Sequence, residues 1–157
     1  MTLFVTSDTH FGHENIIAYC SRPFSNAEEM DEAIIERWNR RVRPCDHVYH
    51  LGDVAMRKPH LSRMARLNGH HRLVRGNHDI FRTKDYLAFF DEIYGVRVLD
   101  NMLLSHIPVH HESLGRFRAN VHGHVHASRA LPKPYLNVCV EVTDYTPVAL
   151  EEVKSWL

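Results

Sequence analysis

Five short apolar segments of this chain are each followed by side chains that can bind a metal ion. The apolar segments, which read as buried strands, span residues 3–6, 48–51, 73–74, 102–104 and 119–121. The polar stretches at their ends are Asp8-Thr9-His10, Gly52-Asp53, Gly76-Asn77-His78-Asp79, Ser105-His106 and Gly123-His124-Val125-His126. Buried parallel strands place their carboxyl ends at one edge of a sheet, where open α/β folds bind ligands. The pattern therefore predicts a sheet with a metal site along one edge.

The composition is that of an ordinary globular protein. The chain has 157 residues, which predicts one domain over 1–157, and 44% of its residues are apolar and 24% charged. Lysine plus arginine number 19, as do aspartate plus glutamate, so no overall charge recruits nucleic acid or an anionic membrane. The histidine content is the exception to this ordinary composition. The chain has 14 histidines, and histidine is the commonest metal ligand in proteins.

Cysteine usage and the first residues indicate the cytoplasm. Cys20, Cys45 and Cys139 are odd in number and widely spaced, so neither a disulfide framework nor a thiolate zinc site is expected. Polar and charged residues interrupt positions 1–20, unlike a signal peptide, and no apolar stretch is long enough to span a bilayer. We expect a cytoplasmic protein with no membrane partner, and the sequence leaves its oligomeric state open.

Hydrophobic periodicity predicts an α/β first half. Strands are expected at 2–7, 47–52 and 71–75, helices at 25–43, 59–67 and 84–91, and a long loop at 9–24. Ser25 and Glu28 suit a capping box at the start of the long helix, and Pro44 ends it.

The second half is expected to be richer in strands, at 96–99, 102–105, 117–121 and 136–142. Thr146 and Pro147 suit the cap and first position of a terminal helix that runs to Leu157. An α/β first half with an α+β second half predicts a two-sheet β-sandwich flanked by helices.

The polar strand ends contain the donors that a centre of two metal ions needs. Asp8 and His10 are two positions apart and can bind one ion, and the two oxygens of Asp53 can each reach one of two ions. The other donors are Asn77, His106, His124 and His126. Glycine precedes a ligand candidate at positions 52, 76 and 123, where it permits the backbone angles that turn a strand end into a loop.

The donor types also favour a class of metal. Nitrogen and oxygen donors without thiolates suit transition metals better than calcium or magnesium, so we expect two divalent ions of manganese, with iron, nickel, cobalt or zinc as alternatives. Two such ions against the carboxylates of Asp8 and Asp53 leave a net charge of roughly plus two. A centre of this kind attracts phosphate and lowers the pKa of bound water towards neutrality.

The motifs Asp-x-His, Gly-Asp, Gly-Asn-His-Asp, Ser-His and Gly-His-x-His, in that order, resemble those of the calcineurin-like metallophosphoesterase family. The resemblance covers positions 8–126, and residues 8–15 are similar to the opening of a small bacterial and phage branch. It implies a two-sheet sandwich around a dinuclear centre. By position, one ion would be bound by Asp8, His10, Asp53 and His126, and the other by Asp53, Asn77, His106 and His124. Met56 stands where the family often has an aspartate that is not a direct ligand.

The resemblance also implies roles for two residues that do not bind metal. His78 would lie over the substrate phosphate, where it stabilises the transition state or protonates the leaving oxygen. Asp79 would orient His78 and keep it cationic. A hydroxide that bridges the metals would attack phosphorus in line.

The remaining polar residues near the motifs are assigned to a substrate rim or to the background. His13 and Asn15 are rim candidates, with a role outside the site as the alternative. His110, His111 and Arg116 form a second candidate rim, with a solvated loop as the alternative. Surface or core positions are expected for His50, His60, His70 and His71, and His122 is expected to point away from the metals.

We therefore predict a metal-dependent hydrolase of phosphoric esters, with nucleotide-like esters among its candidate substrates. A phosphodiesterase is preferred over a phosphomonoesterase, because His78 is retained and so short a chain leaves the site open. The alternatives are a nuclease or phosphomonoesterase that uses the same site, and a non-catalytic interaction module on this fold. The complete set of ligand residues disfavours the interaction module.

Overall fold

The computed structural model describes residues 1–157 and contains two β-sheets. In the first sheet, four parallel strands are β1 (Leu3–Thr6), β2 (His47–His50), β3 (His70–Val74) and β4 (Glu92–Tyr94). The strand order is β4-β3-β2-β1-β9, where β9 (Val148–Ala149) pairs antiparallel with β1. The carboxyl ends of β1, β2 and β3 therefore lie along one edge.

The second sheet has the order β5-β6-β7-β8. Its strands are β5 (Arg97–Leu99), β6 (Met102–Ser105), β7 (Ala119–His122) and β8 (Tyr135–Asn137). The β5–β6 pair is antiparallel, whereas β6, β7 and β8 run parallel. The two strands that precede the last two ligand motifs, β6 and β7, are thus neighbours with the same direction.

Five α-helices and a 3₁₀ helix accompany the sheets. The helices are α1 (Glu14–Tyr19), α2 (Ala27–Arg41), α3 (Thr83–Tyr86), α4 (His111–Leu114) and α5 (Leu150–Lys154), and the 3₁₀ helix is Lys58–Arg66. None of these helices combines the length and the apolar character needed to cross a membrane.

Two hydrophobic cores lie on opposite faces of the first sheet. Side chains alternate along a strand, so Val5 faces the second sheet and packs with Leu104 and Val121, while Phe4 faces the opposite way. On that opposite face α2 buries the helically spaced residues Met30, Ile34 and Trp38. The predicted α/β sandwich of two sheets with flanking helices is confirmed.

The amino terminus of α2 is capped one residue later than the sequence suggested. The side chain of Asn26 accepts a hydrogen bond from the backbone N–H of Glu29 at 2.8 Å, and the Glu29 carboxylate accepts one from the Ser25 N–H at 2.7 Å. This is a variant of the capping box, because the Glu29 carboxylate accepts the N–H of the residue before the cap and not that of Asn26 itself. The prediction of a Ser25–Glu28 pair was wrong by one register position.

Segments outside the long strands and α2 differ more from prediction. The expected loop at 9–24 contains α1, the expected helix at 59–67 is a 3₁₀ helix, and the helix expected at 84–91 is only α3, followed by turns that bury Phe90. Thr146 and Pro147 do not begin the terminal helix, because the chain first pairs β9 with β1. Pairing at a sheet edge prevailed over local helix signals.

The strand expected at 136–142 ends at Asn137. Val138 belongs to the core between the sheets, whereas Val140 belongs to the core under α2. The chain passes from one core to the other here, so Val138 and Val140 belong to different cores and do not share one face of a strand, and Val142 is exposed.

Candidate metal centre

Backbone hydrogen bonds tie the loops that carry the ligand motifs to one another. The Asp8 N–H donates to the Gly52 carbonyl and the His10 N–H to the Asp53 carbonyl, both at 3.0 Å. The His124 N–H donates to Oδ2 of Asp8 at 2.9 Å, which joins the loop after β7 to the loop after β1. The loops of both sheets thus meet at one place.

The backbone at most of these ligand positions is left-handed, a conformation that costs a non-glycine residue roughly 1–2 kcal/mol. The φ angles are 61° at Asp8, 51° at His10, 58° at Asp53, 69° at His124 and 49° at His126. Strain of this kind persists where the surrounding structure holds a side chain in a required direction.

The glycines of the motifs are needed for two different reasons. Gly52 has a φ of 99°, as expected for a residue that turns a strand end into a loop. Gly76 and Gly123 instead provide space. A Cβ at Gly76 would lie 2.3 Å from Asp53 Oδ1, and a Cβ at Gly123 would lie 2.4 Å from Asp8 Oδ2. At these two positions the explanation from backbone angles was wrong.

The first donor group surrounds the Nε2 atom of His10. This atom lies 3.7 Å from Asp8 Oδ1 and 3.6 Å from Asp53 Oδ2, and His126 Nε2 lies 3.7 Å from the same Asp8 oxygen. Asp8 Oδ1 and both ring nitrogens of His10 are buried without a hydrogen-bond partner. Ligands about 2.1 Å from one metal are separated by roughly 3.0–3.5 Å. The spacing and the unpartnered buried atoms fit a divalent cation held by these side chains.

The second donor group surrounds the Nε2 atom of His106. It lies 2.8 Å from Asn77 Oδ1, 3.3 Å from Asp53 Oδ2 and 3.2 Å from His124 Nδ1. Three side chains of this group, Asp53, His106 and His124, place donor atoms within 4.8 Å of one another, as do Asp8, His10 and Asp53. The donor set therefore fits two divalent ions side by side.

One oxygen of Asp53 is common to both groups. Oδ2 faces His10 on one side and His106 on the other. Oδ1 instead accepts a hydrogen bond from the His78 N–H at 2.8 Å. Only Oδ2 therefore faces both donor groups, whereas the sequence predicted that each Asp53 oxygen would face one of them.

The charges of the centre suit cation binding. Burial raises the pKa of Asp8, but the neighbouring imidazole of His10, 3.7 Å away, and the positive charge of His106 outweigh burial and hold this pKa below its usual range. Burial lowers the pKa of His106, but the carboxylates of Asp53 and Asp8 raise it to about 8. Burial, together with the charge of His106, lowers the pKa of His124. A bound cation would take the place of the protons and release them.

A buried carboxylate that the sequence analysis did not identify supports His126. Glu141 Oε1 lies 2.9 Å from His126 Nδ1, and it accepts hydrogen bonds from Arg22 Nε at 2.9 Å and from an Arg22 terminal nitrogen at 2.7 Å. Arg22 also donates to the Asp8 carbonyl at 2.7 Å. Carboxylates that bond the far nitrogen of a ligand histidine fix its orientation and raise its basicity. Glu141 was missed because it lies outside the five motifs, in the stretch 136–142 that was predicted only as a strand.

His78 and Asp79 have different surroundings from those expected. The His78 side chain is exposed, with its ring centroid 5.7 Å from that of His10. The Asp79 carboxylate is buried and accepts three backbone N–H groups, from Asp53 at 2.7 Å, Gly76 at 2.8 Å and Val54 at 3.0 Å. It forms no hydrogen bond with His78. The prediction that Asp79 orients His78 was wrong, because the strand-end loops use this carboxylate to hold their own backbone.

Only one of the two expected rims lies at the centre. The His13 ring centroid is 5.4 Å from that of His10, and His13 and Asn15 line a cleft of about 520 Å³. We call this the polar cleft; its other walls are Gly12, Glu14, Met56, Arg57 and His60. His110, His111 and Arg116 are exposed around α4 and contact none of the ligand side chains. For these three, the solvated-loop alternative describes the structure.

A second cleft adjoins the centre at His126. This cleft of about 350 Å³ is lined by His122, His126, Arg129, Tyr135, Val142 and Trp156, and we call it the aromatic cleft. His122 is buried there, with its Nδ1 bonded to the Gly123 carbonyl, and it belongs to neither donor group. His50 and His71 are core histidines, as expected.

Comparison with known proteins agrees with this geometry. Residues 1–139 match the calcineurin-like phosphoesterase superfamily domain. The uncharacterized protein MJ1445 of Methanocaldococcus jannaschii is 40% identical over 161 aligned residues, which cover 95% of this chain and 87% of that protein. The crystal structure of AQ665 from Aquifex aeolicus, a protein of unknown function, superposes with a TM-score of 0.75 at 25% identity and covers 99% of both chains. With its motifs, sheets and donor groups in place, this chain belongs to the calcineurin-like phosphoesterase superfamily, a family of metal-dependent phosphoesterases.

Proposed function

We propose that this protein hydrolyses phosphodiesters at a centre of two divalent transition-metal ions. The observation that carries the proposal is the position of Asp53 Oδ2, which faces both His10 and His106 and so joins two donor groups. The donors are nitrogen and oxygen atoms, which favours manganese, with iron, nickel, cobalt or zinc as alternatives.

The residues around the centre have separable tasks in this proposal. When bound, two divalent ions would neutralise charge on the phosphoryl group and lower the pKa of a water molecule. Asp8 and Asp53 supply the negative charge that holds the cations, and Glu141 orients His126. The exposed imidazole of His78 donates a hydrogen bond to the phosphoryl or leaving oxygen, since its backbone N–H is held by Asp53 beside the donor groups.

Two clefts at the centre support a diester over a monoester. The polar cleft adjoins His10 through His13, and the aromatic cleft adjoins the centre at His126. A phosphodiester has two substituents on phosphorus, and each cleft offers room for one of them. A nuclease would use the same clefts for the two sides of a nucleic-acid strand, whereas a phosphomonoesterase would leave one of them unused.

The test is a substrate panel with manganese-reconstituted protein. We expect kcat/KM to be at least about tenfold higher for bis(p-nitrophenyl) phosphate than for p-nitrophenyl phosphate. Cyclic nucleotides, dinucleotides and DNA extend the panel, and preferential cleavage of DNA would identify a nuclease. A preference for the monoester would favour the phosphomonoesterase.

Asp53→Asn is the matched control for the panel, since it keeps the shape of the side chain but removes the charge shared by both donor groups. We expect this variant to lose activity together with about two metal ions per chain. Wild-type protein that is folded and metal-loaded yet cleaves no ester would contradict the proposal and favour an interaction module.

A further inference from the structure

We infer that the polar cleft binds a second phosphate group of the substrate, carried on the leaving-group side of the scissile phosphorus. This inference rests on the proposed function and makes it more specific. The residues that would form the subsite are Arg57, Asn15, His13 and His60.

Arg57 is an exposed arginine without a partner. Its side chain forms neither a hydrogen bond nor an ion pair, whereas Arg63 and Arg66, on the adjoining 3₁₀ helix, pair with Asp31 and Glu32 of α2. The Asn15 side chain across the cleft also forms no hydrogen bond. A guanidinium group binds phosphate through two parallel charge-assisted hydrogen bonds, so a free one beside a phosphoesterase centre is suited to an anionic part of the substrate.

Two imidazole rings form fixed parts of the cleft wall. Nδ1 of His13 and Nδ1 of His60 are both buried and lack a hydrogen-bond partner. These two atoms are closed off from solvent, so a ligand in the cleft would contact other atoms of the two rings. The two walls are in direct contact, because a Cβ at Gly12 would lie 1.9 Å from the His60 ring. The cleft is therefore held in shape by the loop after β1 and the start of the 3₁₀ helix.

The one acidic residue of the cleft is already engaged. Glu14 Oε2 accepts a hydrogen bond from the Ala27 N–H at 2.8 Å, at the first residue of α2. The amino terminus of this 15-residue helix carries partial positive charge, which offsets the negative charge of the Glu14 carboxylate. Together with Arg57 and the cations of the neighbouring centre, this leaves a cleft that favours an anion.

The location of the cleft assigns it to the leaving group. The His13 ring lies 5.4 Å from the His10 ring, and the His78 ring lies 5.7 Å from the same ring. Of the two oxygens that the proposed function allows His78 to act on, we take the leaving oxygen, so that the leaving group extends past His10 towards His13 and Arg57. Substrates whose leaving alcohol bears its own phosphate would bind best.

The test compares inhibitors that carry one or two phosphates. Propyl phosphate is compared with the ethane, propane and butane α,ω-bisphosphates as competitors of bis(p-nitrophenyl) phosphate hydrolysis by the manganese-loaded protein. We expect at least one bisphosphate to have a Ki about tenfold or more below that of propyl phosphate, since the second phosphate gains charge-assisted hydrogen bonds. In Arg57→Gln we expect this ratio to fall close to one.

Arg40→Gln is the matched control, because Arg40 is exposed on α2 and pairs only with Glu36. It should keep the wild-type ratio. The inference is overturned if no bisphosphate binds more tightly than propyl phosphate, or if Arg57→Gln keeps the preference. If the protein hydrolyses no ester, the proposed function fails, and calorimetry of the same ligands with the same variants still decides whether the cleft binds a second phosphate.

Discussion

At the scale of single residues, the supporting contacts of the centre are as informative as its donors. The Glu141 side chain is only 4% exposed and contacts both His126 and Arg22. We expect Glu141→Gln to weaken manganese binding by about 10- to 100-fold, the usual effect of losing a partner of a ligand histidine. Calorimetric titration of the metal-free protein measures this, with Glu36→Gln on the exposed face of α2 as the control. Unchanged affinity would show that Glu141 only neutralises Arg22.

His78 and Asp79 are neighbours, yet substituting them should affect different properties: turnover for His78, and stability and metal binding for Asp79. His78→Ala should keep the metal content and lower turnover by about 10²- to 10⁴-fold, with a smaller loss for esters that release nitrophenolate, because that leaving group needs no proton. Asp79→Ala leaves three backbone N–H groups without an acceptor, so it should lower the free energy of unfolding by about 3 kcal/mol and reduce metal content.

Urea denaturation and elemental analysis of both variants distinguish these roles. Loss of metal in His78→Ala would remove His78 from the substrate side of the centre. A fully stable, metal-loaded Asp79→Ala would show that its three hydrogen bonds are replaceable.

At the scale of elements, the sequence predicted best where the apolar pattern is unbroken. β1, β2 and β3 appear within a few residues of their predicted positions because each is an apolar run buried on both faces, and α2 does so because its helically spaced residues bury one face. Residues 136–142 were predicted poorly, since Val138 and Val140, which would share one face of a strand, pack into different cores. Glu141 lies in the same stretch, outside the five motifs, and was missed. No local signal indicates that a chain crosses from one core to the other.

The cap of α2 gives a prediction at this scale. Asn26→Ala should lower the free energy of unfolding by about 1 kcal/mol, because the Asn26 side chain accepts the Glu29 N–H. Ser25→Ala should have a smaller effect, since Ser25 contributes only its backbone N–H to the cap. Urea denaturation of the two variants, which differ by one position, provides the comparison. Equal losses would contradict the cap seen in the structure.

At the scale of the whole molecule, a buried histidine links stability to pH. His50 is fully buried, accepts the Gly52 N–H at Nδ1 and contacts Thr9 Oγ1 at 2.9 Å through Nε2. Burial lowers its pKa from 6.5 to about 3. Above pH 6.5 the group is neutral in both states. As pH falls from 6.5 towards 3, only the unfolded chain binds the proton, so stability is lost at up to about 1.4 kcal/mol per pH unit.

Urea denaturation of the metal-free protein at several values between pH 4 and 7 measures this slope. His50→Gln should show a shallower pH dependence than wild type, whereas His70→Gln, at an exposed position, should match wild type. An unchanged slope in His50→Gln would mean that other buried groups control the pH dependence.

The whole-molecule architecture was predictable because its two sheets follow from the order of apolar runs, and the family motifs mark where those runs end. The pairing of β9 at the sheet edge was not predictable, since a two-residue strand carries almost no periodicity. The clefts were not predictable either, because their walls come from segments distant in sequence, such as 12–15 and 56–60.

The left-handed backbone at Asp8, His10, Asp53, His124 and His126 means that the centre and the stability of the fold compete. Glycine or asparagine adopts this conformation more readily than histidine does. Selection for thermal stability alone would therefore favour replacing His10, His124 or His126, and would remove the metal ligands one at a time while the sandwich became more robust. A stabilised variant of this protein is best engineered at positions other than these loops.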